Sequence, residues 1–116
     1  MFEYYGIGID IIDIKRFRKI PYAKNKRFYQ RNFQQSEIDY CLKHRQPAQH
    51  FAGKFAIKES TIKAISEKIA MIDIEVSYVN SKPTIRLPDN YQEYSFLVSL
   101  SHEKDFAVAV VISKKA

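Results

Sequence analysis

The apolar positions of this chain change their spacing several times, and each change marks an element. Over residues 4–12, Ile7, Ile9, Ile11 and Ile12 crowd around two glycines beside paired tyrosines, a composition that favours a strand. From Asp13 the period lengthens. Ile14, Phe17 and Ile20 recur every three residues, as one buried helical face requires, with Asp13 as its cap and Pro21 as its end. Residues 22–30 predict a second helical piece, and Ser36 with Glu37 opens another that runs towards Lys43. Pro47 then introduces the longest helix, over 48–66, whose buried stripe is Phe51, Phe55, Ile62 and Ile65.

Beyond that helix the period shortens again. Ile72-Asp73-Ile74-Glu75-Val76 alternates strictly and predicts a half-buried strand. Asn80-Ser81-Lys82-Pro83 is a turn leading to a short strand over 84–87, and Pro88-Asp89-Asn90 turns once more. The chain closes on a hairpin, 95–101 with 106–112, around Glu103-Lys104-Asp105. Both of its strands are nearly all apolar, so both of its faces should be covered, and in so small a domain one cover would be another subunit. The order of elements gives one domain, 1–116, of the α+β class.

Composition narrows the setting. A chain of 116 residues builds a single modest core, and 46% hydrophobic against 28% charged residues is a globular balance rather than a disordered one. No apolar run approaches the roughly 20 residues of a membrane span, and Glu3, Gly6, Gly8 and Asp10 interrupt any secretory signal. The lone Cys41 excludes a disulfide framework and a cysteine-rich zinc site, and fits a reducing compartment; the expected location is the cytoplasm, away from membranes.

Charge adds a direction. Lysine and arginine number 19 against 13 acids, for a net +6. Between Ile14 and Ser36 stand Lys15, Arg16, Arg18, Lys19, Lys24, Lys26, Arg27 and Arg31 with no acid among them. A field of that sign steers in nucleic acid, anionic lipid, a phosphorylated ligand or an acidic protein.

Several side chains stand where chemistry is plausible, each with a plainer alternative. Asp10 lies inside an apolar strand, where a carboxylate needs a cation, a hydrogen-bond donor or a helix to cap. Gly6 and Gly8 admit close backbone approach, but without a third glycine before a helix they are a weak dinucleotide signal. Glu59 lies at the edge of the Phe51/Phe55/Ile62 stripe, with Lys63 four residues on in the order that favours a helical ion pair. Lys58 falls within that stripe, either snorkelling to solvent or reaching a phosphate. His102 ends a strand, where a histidine commonly caps or faces solvent. His44 and His50 read as surface residues, and three histidines without close grouping give no zinc constellation.

Three signatures in this order resemble one family. They are Gly8-Ile9-Asp10 on the first strand, Phe55-Ala56-Ile57-Lys58-Glu59-Ser60-Thr61-Ile62-Lys63-Ala64 on the long helix, and Ser99-Leu100-Ser101-His102 before the last hairpin turn. With Asp73-Ile74-Glu75-Val76 and Lys82-Pro83 between them, they are similar to the small 4′-phosphopantetheinyl transferases called holo-acyl-carrier-protein synthases. The resemblance implies a small antiparallel sheet packed against one long helix and short helices, assembled as a homotrimer with clefts between subunits. It implies transfer of 4′-phosphopantetheine from coenzyme A to a serine of an apo acyl carrier protein, with release of 3′,5′-ADP.

On matched positions, Asp10 and Glu59 would hold Mg²⁺ against the coenzyme A pyrophosphate, and Lys63 would meet the departing phosphate. Glu59, acting through a metal-bound water, would take the serine's proton. His102, with Ser101 beside it, would contact the nucleotide end, and Lys54 and Lys58 would join Lys63 in binding coenzyme A. Arg16, flanked by Lys15 and Lys19, would grip the acidic carrier. Mg²⁺ prefers hard oxygens and commonly takes one or two carboxylates, which suits so sparse a set.

The family pattern fails in three places. Where members carry a Gly-Thr-Gly loop after the long helix, this chain reads Ile65-Ser66-Glu67-Lys68-Ile69; Lys54 stands where arginine is common, and Ser81 replaces a turn glycine. Two other readings compete. One is a basic module whose eight Tyr and eight Phe stack on nucleic acid; the other is a family member that binds carrier protein without transferring anything.

Overall fold

The structure is a computed structural model that describes residues 2–91 and 93–116. Its first strand, β1 (Tyr5–Asp13), pairs antiparallel with the last, β5 (Phe106–Lys115), and β5 pairs with β4 (Tyr94–His102). The sheet order is therefore β1-β5-β4, with β1 and β4 on opposite edges. A separate ribbon joins β2 (Glu75–Val79) to β3 (Lys82–Arg86). The helices are α1 (Lys15–Arg18), α2 (Lys26–Asn32), α3 (Gln35–Leu42) and α4 (Pro47–Ala64). Asp13 Oδ1 accepts the Lys15 amide at 3.0 Å in the turn into α1, although the cap position itself falls on Ile14 and not on Asp13 as the sequence implies.

The long helix lies directly on the sheet because the sheet presents almost no side chain to it. Ala107, Ala109, Val111 and Ser113 face inward from β5, and Gly6 and Gly8 from β1. A Cβ added at Gly8 would stand 1.9 Å from the Ser60 carbonyl oxygen, and one at Gly6 1.7 Å from that of Ala64. Close approach is thus what the glycine pair provides, and the group that approaches is the backbone of α4. Two hydroxyls fasten the contact: Ser60 Oγ donates to the Ala109 carbonyl at 3.1 Å, and Ser113 Oγ to that of Ala64 at 2.7 Å. On its other side α4 packs into a ring cluster of Phe17, Tyr29, Phe33, Phe51 and Phe55.

Where structure and sequence expectation differ, a buried charge is the cause. Residues 71–73 form a tight 3₁₀ turn and the strand begins only at Glu75, although the alternation runs from Ile72. The Met71 and Ile74 carbonyls turn towards the Lys58 ammonium, at 3.0 and 2.6 Å, instead of entering a ladder.

The expectation that both faces of the final hairpin are covered holds for one face within the chain. On the other, Ile7, Ile9 and Ile11 of β1 and Leu97 of β4 are 68%, 59%, 62% and 70% exposed. Val108, Val110 and Ile112 of β5 lie between them, half-buried.

Candidate functional site

Register and helical pitch gather the first group of candidates. Asp10 points to the α4 side of β1, two residues beyond Gly8, and Lys63 reaches back from the helix. The Lys63 ammonium donates to the Ile9 carbonyl at 2.8 Å and to Asp10 Oδ1 at 3.3 Å. It therefore bridges strand and helix, where the spacing alone suggested an ion pair with Glu59. Asp10 Oδ2 is buried without a hydrogen-bond partner. Glu59 lies half-buried one turn before Lys63 and among the described residues forms no ion pair.

An orphaned carboxylate oxygen and an uncommitted carboxylate on one rim, with a lysine between strand and helix, suit a hard divalent ion that shares its shell with phosphate. They do not form a closed protein cage. Among the described residues no group of three or more metal-ligating side chains gathers anywhere.

One turn further towards the start of α4, the Arg16 guanidinium stands over the Phe55 ring, 5.6 Å from its centre. Arg16, Lys15 and Lys19 are all exposed. The acid-free basic segment thus borders the rim that carries Glu59.

Lys58 and Lys54 are corrections. Lys58 is fully buried, and its three donors go to Glu37 Oε1 at 2.7 Å and to the Met71 and Ile74 carbonyls, leaving none for a phosphate. Burial lowers its pKa, and the Glu37 charge and hydrogen bond act in the opposite direction. Glu37 also accepts the Gln34 and Val76 amides, each at 2.8 Å, so the pair pins α3 and α4 to β2. Lys54 is buried too. It donates to the Val76 carbonyl at 2.6 Å and sits between the Tyr40 and Tyr78 rings, 4.6 and 4.9 Å from their centres. Burial lowers its pKa as well.

His102 stands across the sheet from Asp10, at the β4 edge. The Gln49 side-chain amide nitrogen lies 2.8 Å from its Nδ1 and 3.3 Å from its Nε2. Both residues line a cleft of about 380 Å³ with Tyr40, His50, Tyr78 and Ser81. Leu100 forms part of its wall, against Gly53 of α4. Ser101 is not brought together with His102: strand alternation turns it to the outer face beside Leu97 and Ser99. Asn80 and Ser81 both take the left-handed conformation, with φ of 51° and 67°, to close the β2–β3 turn at the mouth of the cleft.

The sequence pattern placed His50 at the surface, although it is half-buried, and gave no sign of Gln49, Tyr40 or Tyr78. They come from α3, α4 and β2, and only the i, i+4 pairs Tyr40/His44 and His50/Lys54 hinted that these side chains cluster. The segment after α4, which departs from the family pattern, is tied down by Tyr91, whose hydroxyl donates to the Lys68 carbonyl at 2.5 Å. Cys41 is an inert core residue whose pKa burial pushes up to about 12. No helix is long and apolar enough to cross a membrane among the described residues.

Comparison with known proteins gives the arrangement its relatives. A sequence profile of the 4′-phosphopantetheinyl transferase superfamily matches residues 6–111. The holo-[acyl-carrier-protein] synthase of Geobacter metallireducens is 38% identical over 125 positions, covering 96% of this chain and 98% of that one. That of Thermodesulfovibrio yellowstonii is 34% identical over 110 positions, covering 92% and 96%. A holo-(acyl-carrier-protein) synthase from Bacillus anthracis, solved in complex with CoA (3′,5′-ADP), superposes with a TM-score of 0.82 at 30% identity and covers 96% of each chain. The Helicobacter pylori enzyme in complex with coenzyme A gives 0.77 at 35% identity, covering 93% of this chain and 99% of that one. Order of motifs, fold and relatives agree, and the chain belongs to the 4′-phosphopantetheinyl transferase superfamily, among its holo-acyl-carrier-protein synthases.

Proposed function

We propose that this chain moves 4′-phosphopantetheine from coenzyme A to a serine of an acyl carrier protein, with Asp10, Glu59 and Lys63 as its catalytic group. The observation that carries the reading is the bridge from Lys63 to Asp10 beside an unpartnered Asp10 oxygen, with uncommitted Glu59 one turn away. Asp10 and Glu59 would hold Mg²⁺, which when bound neutralises the charge of the pyrophosphate. The serine oxygen attacks the β-phosphorus and a new P–O bond forms. The bond to the 3′,5′-ADP oxygen breaks, and the serine proton passes to Glu59. Lys63, half-exposed, exchanges its Asp10 contact for the leaving phosphate and meets the charge that develops there. Arg16, with Lys15 and Lys19, takes the acidic carrier beside this rim.

His102 binds the nucleotide end. It lies on β4 and Asp10 on β1, opposite edges of one sheet, so a single coenzyme A is best served by the β1 edge of one copy and the β4 edge of a neighbour. The bare isoleucine face of the sheet supports such an assembly, read here as a homotrimer. A nucleic-acid module is less well supported, because most of its candidate stacking rings lie in the core or pack against it.

The decisive experiment incubates the protein with apo carrier protein, coenzyme A and Mg²⁺ and weighs the carrier. A gain of one phosphopantetheine that disappears in Asp10→Ala and Glu59→Ala is the expected result. A carrier of unchanged mass with the wild-type protein overturns the proposal.

A further inference from the structure

His44 and His50 lie with ring centres 3.8 Å apart and planes inclined at 32°, and neither takes part in the chemistry above. The His44 Nδ1–H donates to the Tyr40 carbonyl at 2.8 Å, which fixes that ring behind the cleft wall. Tyr40 closes on both imidazoles, with ring centres 4.6 Å from His44 and 6.1 Å from His50, and itself stacks on Tyr78 at 5.3 Å. Of the pair, His50 is the one that lines the cleft, beside Gln49 and His102.

The groups that face His50 include no carboxylate. They are His44 and Tyr40 from α3 and its exit, Tyr78 from β2, His102 from β4, and Lys54 one turn along the same helix. Glu37 and Glu75 act on Lys54 instead. Burial first, then His44, His102 and Lys54, hold the imidazole below its ordinary range. A cleft rich in potential cations and poor in acid is short of one thing, a negative charge. An entering phosphate dianion supplies it and reverses the balance that keeps His50 neutral.

We propose that His50 is a specificity-determining residue for the phosphomonoester at the nucleotide end of coenzyme A, taking a proton from solvent as that phosphate enters and donating a charge-assisted hydrogen bond to it. The inference rests on the nucleotide end occupying the His102 cleft. A ligand with a bare hydroxyl there has no dianion to offer and draws no proton, so the residue selects coenzyme A over dephospho-coenzyme A.

The chain has only three histidines, so three imidazole Cε1–H resonances are followed, and His50→Gln identifies one of them. Each is titrated from about pH 5.5 to 8.5 in the free protein, with coenzyme A and with dephospho-coenzyme A. The expected result is that the His50 midpoint rises by about one pH unit or more with coenzyme A and stays low with dephospho-coenzyme A. Coenzyme A affinity should weaken by up to about tenfold per pH unit between the free and bound midpoints, and His50→Gln should flatten that dependence. Coenzyme A that binds without moving the His50 midpoint overturns this inference alone, and so does an equal shift with dephospho-coenzyme A. Coenzyme A that fails to bind at every pH overturns it together with the proposed reaction.

Discussion

Replacing Lys58 with methionine keeps an unbranched side chain, one atom shorter, while removing its charge and all three donors. In the fold that ammonium is wholly buried and serves Glu37, Met71 and Ile74 at once. The substitution strands a buried carboxylate and two carbonyls together. Breaking one side of a buried pair costs about 3–5 kcal/mol. The Gln34 and Val76 amides still serve Glu37, which argues for the lower part of that range, while the two orphaned carbonyls argue for the upper part. At roughly 4 °C per kcal/mol for a domain of this size, Tm should fall by about 12–20 °C. Glu37→Gln added to Lys58→Met removes the stranded charge and should recover part of the loss.

Thermal unfolding at fixed protein concentration measures the shift, and coenzyme A affinity is read at a temperature where the variant is folded. The affinity should be unchanged. A Tm within about 2 °C of wild type, with coenzyme A binding weakened instead, would refute the pin and restore Lys58 as a phosphate contact.

Four further outcomes are expected. Gly8→Ala drives a methyl into the Ser60 carbonyl and should cost about 2–3 kcal/mol by thermal unfolding, whereas Gly53→Ala meets only the movable tip of Leu100 and should be neutral or stabilising. Asp10→Asn and Glu59→Gln should each lower kcat by about 10²–10³ with Tm intact, and chelating Mg²⁺ should abolish the wild-type reaction. The folded His50 pKa lies below the unfolded one, so as pH falls past about 6.5 the unfolded chain takes the proton first and stability declines, levelling off below the folded value. His50→Gln should remove that part of the decline, read as ΔG of unfolding against pH. Ile9→Lys places a charge on the bare sheet face and, on the proposed trimeric reading, should leave only monomers in sedimentation, with loss of transfer activity.

The sheet and long helix were legible because their signals are local. A glycine pair in an isoleucine strand, a phenylalanine stripe after Pro47 and a doubly apolar hairpin each speak within one element. The meeting of Asp10 with Lys63 across strand and helix was legible only through the order of the motifs, because strand register and helix pitch had to bring the two together. The buried lysines were not legible. Helical angle placed Lys58 in the apolar stripe, but its partner, Glu37, comes from another helix 21 residues away. The late start of the strand within the 72–76 alternation follows from that same reach, since it diverts two carbonyls that a strand would have paired. The histidine cleft was hidden for a related reason: it draws scattered residues from α3, α4, β2 and β4, and no one segment carries its pattern.

Because bare backbone meets bare backbone where α4 crosses β1, the gap between the strand that carries Asp10 and the helix that carries Glu59 is set by main-chain thickness. Repacking the aromatic side of α4 can therefore soften or harden the molecule as a whole while leaving that gap as it was. Selection on temperature and selection on chemistry then act on separate surfaces of one helix, and stabilised variants of this enzyme should keep their turnover.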